Sequence, residues 1–247
     1  APTPVLESGG RIWRGFERVG PGRWGPCFSA FLLSAPVDSD WLDARNWRAT
    51  NAAPYDGSLL DGRFGGWCEG NAVEGPDGAV HAVLRVHVLD LPEHAAVLRA
   101  TKDGRELGPP AANGFPVFPG GCKKFTVRRD PRTGHWFALT NVAPKRIPDV
   151  PVERTRNVLA LVRSTNFANW ESRGIVLEHP DVHRHAFQYV DWIFDGDDLL
   201  AVSRTAWDDA EGGAHSQHDA NHITFHRIAR FRSLAERPPS EPQRDRI

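Results

Sequence analysis

The chain has 247 residues, 40% of them hydrophobic, with 30 Lys+Arg against 31 Asp+Glu and a formal net charge of -1. That length can bury a core without disulfide or metal staples, and the three separated cysteines (Cys27, Cys68, Cys122) hold no CxxC pair and read as small buried apolar residues. With basic residues scattered and in no surplus, neither nucleic acid nor an anionic membrane is expected as a partner, and no apolar run approaches the roughly 20 residues of a membrane helix.

In chain order, short apolar segments meet tight Gly-containing turns and return. The hairpins run Thr3 to Phe16 around Ser8-Gly9-Gly10, Gly70 to Val86 around Pro76-Asp77-Gly78, Phe125 to Leu139 around Pro131-Arg132-Thr133-Gly134, and Phe187 to Ser203 around Asp195-Gly196-Asp197. Asp-Gly and Thr-Gly pairs accept the positive φ that strand twist demands at such turns. A third apolar segment follows each hairpin: Phe28 to Ser34, Ala95 to Thr101, Val158 to Ser164 and His222 to Ile228. No stretch carries a clean helical stripe, so the pattern predicts an all-β protein. A unit of about 60 residues occurring four times is the signature of propeller blades, each a four-stranded antiparallel meander, with a β-sandwich as the rival reading. The expected organisation is one propeller domain over residues 1–232, with blades near 1–60, 61–115, 116–180 and 181–232. A polar, proline-containing tail over 233–247 is expected to be disordered.

The third strands end alike. Ser34-Ala35-Pro36-Val37-Asp38 leads to Trp47, Ser164-Thr165-Asn166-Phe167 leads to Trp170, and Arg99 to Gly104 is a weaker copy. The segment Arg163 to Trp170 resembles a degenerate Asp-box of sialidase-like β-propellers, with Asn166 at the Asp position and the glycine missing. Glu69-Gly70-Asn71-Ala72-Val73-Glu74-Gly75-Pro76-Asp77-Gly78 followed by Arg85 resembles the sialidase blade that carries a catalytic glutamate and a substrate-clamping arginine. An antiparallel hairpin turning at Asp77-Gly78 returns Glu69 and Arg85 to one rim of the sheet. Sialidases open a later blade with a tyrosine nucleophile. Here that position is Phe187, and Tyr189 lies two residues on, on the same face of a regular strand. The strings PVLESGGRIWRGFE, GGWCEGNAV, FPGGCKKFTVRRDP, FQYVDWIFDGDDLLAVSRTAW and HDANHITFHRIARFR extend the resemblance to bacterial sialidase-like proteins over most of residues 1–232. The resemblance, with the missing initiator Met, implies a parent propeller of five or six blades, four of them visible here and the others preceding Ala1.

Inner strands of a propeller converge on its axis, so their entering ends and the exits of the second strands line a central pocket. That rule selects Arg14 and Glu17, Glu69 and Arg85, Lys123, Lys124 and Asn141, then Gln188, Tyr189, Asp191 and Arg204. Glycoside hydrolysis uses a protonated carboxylic acid and an ionised carboxylate, and Glu69 with Asp191 is the pair expected, Tyr189 being a possible nucleophile. Arg14, Arg85, Lys124, Asn141, Gln188 and Arg204 are the expected substrate contacts, with arginine able to grip a carboxylate through two parallel hydrogen bonds. Lys123 and Lys124 point oppositely on a strand, so at most one serves. Trp67 and Trp207 are the expected sugar-stacking faces. His185 and His218 are candidate proton shuttles; the spacing of His215 to His218 permits zinc, but the segment that runs on to His222 reads as a loop and a strand start, and no metal or other cofactor is expected. The leading function is therefore a monomeric glycoside hydrolase acting on a glycan. A propeller lyase for uronate glycans and a non-catalytic carbohydrate-binding propeller are the alternatives.

Overall fold

The structure, a computed structural model, describes residues 3–88, 90 and 92–236. It is all-β, with four antiparallel sheets among the described residues. The first holds β1 (Leu6–Ser8), β2 (Arg11–Val19), β3 (Phe28–Pro36) and β4 (Arg48–Ala49). The second holds β5 (Trp67–Glu74), β6 (Val80–Val86) and β7 (Ala95–Arg99). The third holds β8 (Phe125–Arg129), β9 (Trp136–Asn141), β10 (Val158–Ser164) and β11 (Glu171–Glu178). The fourth holds β12 (Ala186–Asp195), β13 (Asp198–Ala206) and β14 (His222–Ile228). The four hairpins and four third strands read from the sequence are all present. The expectation of four strands per unit holds only for the first and third sheets, because β7 and β14 are the last strands of theirs.

Strand alternation explains how the sheets pack. On β6, Ala82, Leu84 and Val86 join Trp13, Leu32 and Trp67 in a core between the first two sheets, while Val83 faces a second core with Phe118, Phe125, Trp136 and Val162. On β9 and β10, Trp136, Ala138, Ala160 and Val162 face that second core, and Phe137, Leu139, Leu159 and Leu161 face a third, built with Phe187, Trp192 and Leu199. The two middle sheets thus bury both faces against neighbours, as blades do, and each fully buried Leu or Phe contributes roughly 1.5–3 kcal/mol. Indole donors pin the stack across sheets: Trp136 Nε1 reaches the Glu74 carbonyl at 2.8 Å and Trp192 Nε1 the Thr126 carbonyl at 3.0 Å.

The first residues of the polar tail expected from residue 233 are ordered. A short helix, α1 (Phe231–Ala235), packs Phe231 and Ala235 into the third core, and Arg232 grips the buried Asp130 carboxylate at 2.7 Å and 2.8 Å. Burial would raise Asp130, but the hydrogen bonds from Arg232 and Thr133 lower it to about 2. The rest of the expected tail, 237–247, lies outside the described residues. In the turn joining β10 to β11, Asn166 Oδ1 accepts from the Ala168 and Asn169 amides at 3.1 Å and 2.8 Å, and Trp170 is buried beside it.

Candidate active site

A cavity of about 480 Å³ is lined by residues from the first, second and fourth sheets and from the loop between β9 and β10. Its chemistry comes from Glu17 on β2, Glu69 on β5, Arg85 on β6, Glu153, Arg154 and Arg156 on the loop, Tyr189 on β12 and His218 on the loop before β14.

Two strand irregularities aim the central side chains. The β5–β6 register passes from Trp67↔Val86 to Gly70↔Leu84, so β5 carries one extra residue beside Glu69. The β12–β13 register passes from Gln188↔Arg204 to Asp191↔Val202, an equivalent bulge at Tyr189, whose φ of 53° lies in the left-handed region. A bulge bends its strand and re-aims a side chain, and a non-glycine residue held left-handed is a strain that surrounding structure must support. Close contact between sheets adds a third constraint. A Cβ at Gly15 would sit 2.3 Å from the Gly70 carbonyl oxygen, so β2 and β5 touch backbone to backbone between Glu17 and Glu69.

The two carboxyls then differ in environment. Burial and the nearby charge of Glu69 push Glu17 above the usual carboxylate range. Burial would also raise Glu69, but the charge and hydrogen bond of Arg85 outweigh it and hold Glu69 below that range. Arg85 reaches Glu69 Oε2 at 2.9 Å and the Cys122 carbonyl at 2.9 Å. Beside them, burial pushes the Cys68 thiol up to about 12, so it stays protonated near neutrality. The His218 imidazole is lowered by burial and by Arg156 and Arg204, which keeps it neutral there. The Tyr189 ring lies under two guanidinium groups, 5.0 Å from Arg204 and 5.7 Å from Arg156.

A docked loop supplies a flat wall. The turn between β2 and β3 meets the segment leading into β5 backbone to backbone, a Cβ at Gly25 falling 2.4 Å from the Gly65 carbonyl. This sets Trp24, 55% exposed, edge-on to His87 at 4.6 Å at the rim of the cavity.

Of the residues selected from sequence, Glu17, Glu69, Arg85, Tyr189 and His218 line this cavity. Gln188 and Arg204 stand directly behind. Gln188 accepts from Arg156 at 2.5 Å and donates to the Gln217 carbonyl, while Arg204 donates to the His218 carbonyl. Lys124 is buried, bonded to Thr126 Oγ1 at 2.6 Å, and burial lowers it to about 8 despite the charges of Asp191 and Glu69.

The others lie elsewhere. Asp191 follows the β12 bulge, which reverses the alternation, so it stands on the face away from Val190 and Trp192 and pairs with Arg128 at 3.1 Å. The same bulge separates Tyr189 from Phe187, which packs in the third core, so the two do not share a face as a regular strand requires. Asn141 is buried and spends its amide on the carbonyls of Arg156, Val158 and Phe187. Lys123 pairs with Glu93 at 2.7 Å, away from the cavity. Arg14 bonds Thr3 and lies over Phe16. Trp67, 1% exposed, has no free face; Trp207, 37% exposed, packs with His179, His185 and Phe187. His185 contacts Asp181 and Asp208 in that same group, and no metal-binding cluster occurs among the described residues. Trp24, His87, Glu153, Arg154 and Arg156 were not selected from sequence. They sit on loops or past a strand end, where periodicity gives no signal; the cations crowded after Pro151 were the one available hint.

No protein-family model and no curated protein matches the sequence. Solved structures do resemble the fold. A β-fructofuranosidase from Schwanniomyces occidentalis complexed with fructosyl-erythritol is 12% identical, with a TM-score of 0.58 over 98% of this chain and 45% of that one. An exo-1,5-α-L-arabinanase from a bovine ruminal metagenomic library is 8% identical, with a TM-score of 0.50 over 90% of this chain and 72% of that one. A Trypanosoma rangeli sialidase in complex with the inhibitor DANA is 13% identical, with a TM-score of 0.44 over 94% of this chain and 46% of that one. The chain thus spans less than half the length of the fructofuranosidase and of the sialidase. At such identities the likeness is one of fold, and that fold is the β-propeller expected from the repeats.

Proposed function

We propose that the cavity hydrolyses a glycosidic bond with Glu17 as the protonated acid and Glu69 as the ionised partner. One observation carries this reading: two carboxyls line the same cavity with their pKa values displaced in opposite directions, Glu17 upward and Glu69 downward. Paired groups pushed apart in this way divide the acid and base roles between them. Glu17 stands in the place beside Glu69 that sequence reasoning gave to Asp191. Glu17 donates a proton to the departing sugar oxygen, and Glu69 either attacks the anomeric carbon or activates water. Arg85 keeps Glu69 charged, and Trp24 offers a face to a pyranose or furanose ring. The substrate is a glycan, and the neighbouring propeller hydrolases are consistent with that class.

Chromogenic aryl glycosides test the assignment. Once a hydrolysed substrate is identified, Glu17→Gln and Glu69→Gln should each lower kcat by roughly 10²–10⁴-fold. Azide should restore Glu69→Ala turnover as a glycosyl azide if Glu69 is the nucleophile. Unchanged turnover in both Gln variants sinks the reading.

A second reading rests on Tyr189, held left-handed over the same cavity as Glu69. In it Glu69 takes the phenol proton as the oxygen attacks the anomeric carbon and the aglycone departs, or the phenolate so formed removes the C5 proton of a uronate as the 4-linked sugar departs. Tyr189→Phe would then abolish turnover where the carboxylate pair predicts a modest loss. An ultraviolet-absorbing unsaturated product would identify elimination.

A further inference from the structure

A second cavity, about 370 Å³, lies in the loop between β9 and β10, lined by residues between Ala143 and Thr155. Glu153 lines both this cavity and the central one. The stretch after it divides the two: Arg154 and Arg156 line the central cavity, Thr155 the outer one. The two spaces are therefore chambers on either side of one short wall.

Two features of the wall and rim point to a ligand. First, Glu153 Oε2 is buried without a hydrogen-bond partner among the described residues. A buried carboxylate oxygen without a donor is costly, and a ligand hydroxyl is the kind of group that satisfies it. Second, Lys145 and Arg146 on the outer chamber and Arg154 and Arg156 on the central one make no ion pair among the described residues, although the whole chain has a net charge of -1. The adjoining chambers also hold the carboxylates Asp149 and Glu153, but none of the four cations is taken up in an ion pair among the described residues, so Lys145 and Arg146 remain available to grip an anion carrying several hydroxyls.

We infer that the outer chamber is a second sugar subsite, that Lys145 and Arg146 receive the carboxylate of an acidic sugar there, and that Glu153 accepts a hydroxyl across the wall. The substrate class is then an acidic oligosaccharide of at least two residues, one in each chamber. This inference rests on the hydrolase reading of the central cavity.

Calorimetry with galacturonic acid, trigalacturonic acid and uncharged galactotriose tests it on the full chain. Trigalacturonic acid should bind at least tenfold tighter than the monomer and than galactotriose. The double variant Lys145→Ala/Arg146→Ala, on an exposed loop outside the strands, should erase that gain while monomer affinity stays within twofold. Glu153→Gln, which keeps the shape but weakens the acceptor, should reduce the gain partly. Equal binding of monomer and trimer, or a gain that survives the double variant, overturns the outer subsite and leaves the central reading intact. No binding by either acidic probe also overturns it, and hydrolysis of a neutral glycan in the same preparation would then keep the central reading standing.

Discussion

Two buried carboxylate–cation pairs lie on adjoining segments of this fold, and they do different things. Glu93 and Lys123 are sealed: Glu93 takes Lys123 Nζ at 2.7 Å and 2.8 Å, the Cys122 amide at 3.1 Å and the Cys122 thiol, and Lys123 donates onward to the Val152 carbonyl. Glu69 and Arg85 are joined by one contact of 2.9 Å, line a cavity, and have a second carboxyl for a neighbour. Arg85 ties the two systems together through the Cys122 carbonyl. A buried ion pair whose capacity is all used internally is structural. One that leaves a carboxylate bordering solvent space, with its partner tuning it, is available for chemistry.

The largest expected effects separate the pairs cleanly. Glu69→Gln should cost about 10³-fold in kcat, near 4 kcal/mol of transition-state stabilisation, while stability to urea falls by a smaller amount, about 1–3 kcal/mol, because the amide oxygen still accepts from Arg85. Glu93→Ala should do the reverse, losing about 3–5 kcal/mol of stability because Lys123 is left buried and unpaired. Should Glu93→Ala prove as stable as the parent, the distinction fails.

Next in size is the pH response. The proposed mechanism needs Glu69 ionised and Glu17 protonated, so kcat/KM should be bell-shaped, with an acid limb below the ordinary carboxylate range and an alkaline limb above it. In Arg85→Met the charge that lowers Glu69 is gone and burial remains, so the acid limb should move up and the bell should narrow. Glu17 also loses Glu69 as a charged neighbour in Glu69→Gln, so its residual alkaline limb should move down. Unmoved limbs in both variants would break the assignment of the two groups.

Smaller effects sharpen the geometry. Gly15→Ala must push β2 from β5, costing about 1–3 kcal/mol by overpacking and lowering kcat through the altered Glu17–Glu69 spacing. Trp24→Ala should weaken sugar binding by about 0.5–1.5 kcal/mol with kcat unchanged, and Trp207→Ala should leave binding alone.

Much of this was legible in the sequence. Turn residues and period-2 alternation report local backbone needs, so the hairpins and third strands were readable from Gly-containing turns and apolar runs. Glu69 and Arg85 were placed together because an antiparallel hairpin has no other way to return them. Asp191 was misplaced for a local reason: one bulge residue inverts every later position on β12, and nothing in Gln188-Tyr189-Val190-Asp191 announces it. Asn141 and Gln188 look like ligand-binding amides until the carbonyls they satisfy are seen. Trp24, Glu153 and Arg156 reach the cavity through loop conformations that depend on distant partners.

The glycine contact between β2 and β5 also bears on motion. Glu17 and Glu69 are held on hydrogen-bonded strands whose backbones already touch at Gly15 and Gly70, so the backbone positions that carry the two side chains cannot move apart by a loop rearrangement. Altering the spacing of those backbone positions requires one sheet to shift against another, a collective motion of microseconds to milliseconds. The strands that carry the two carboxyls are thus set before any ligand arrives, and the proposed catalytic centre would work on a fixed frame, with adaptation left to the loop that carries Arg154 and Arg156.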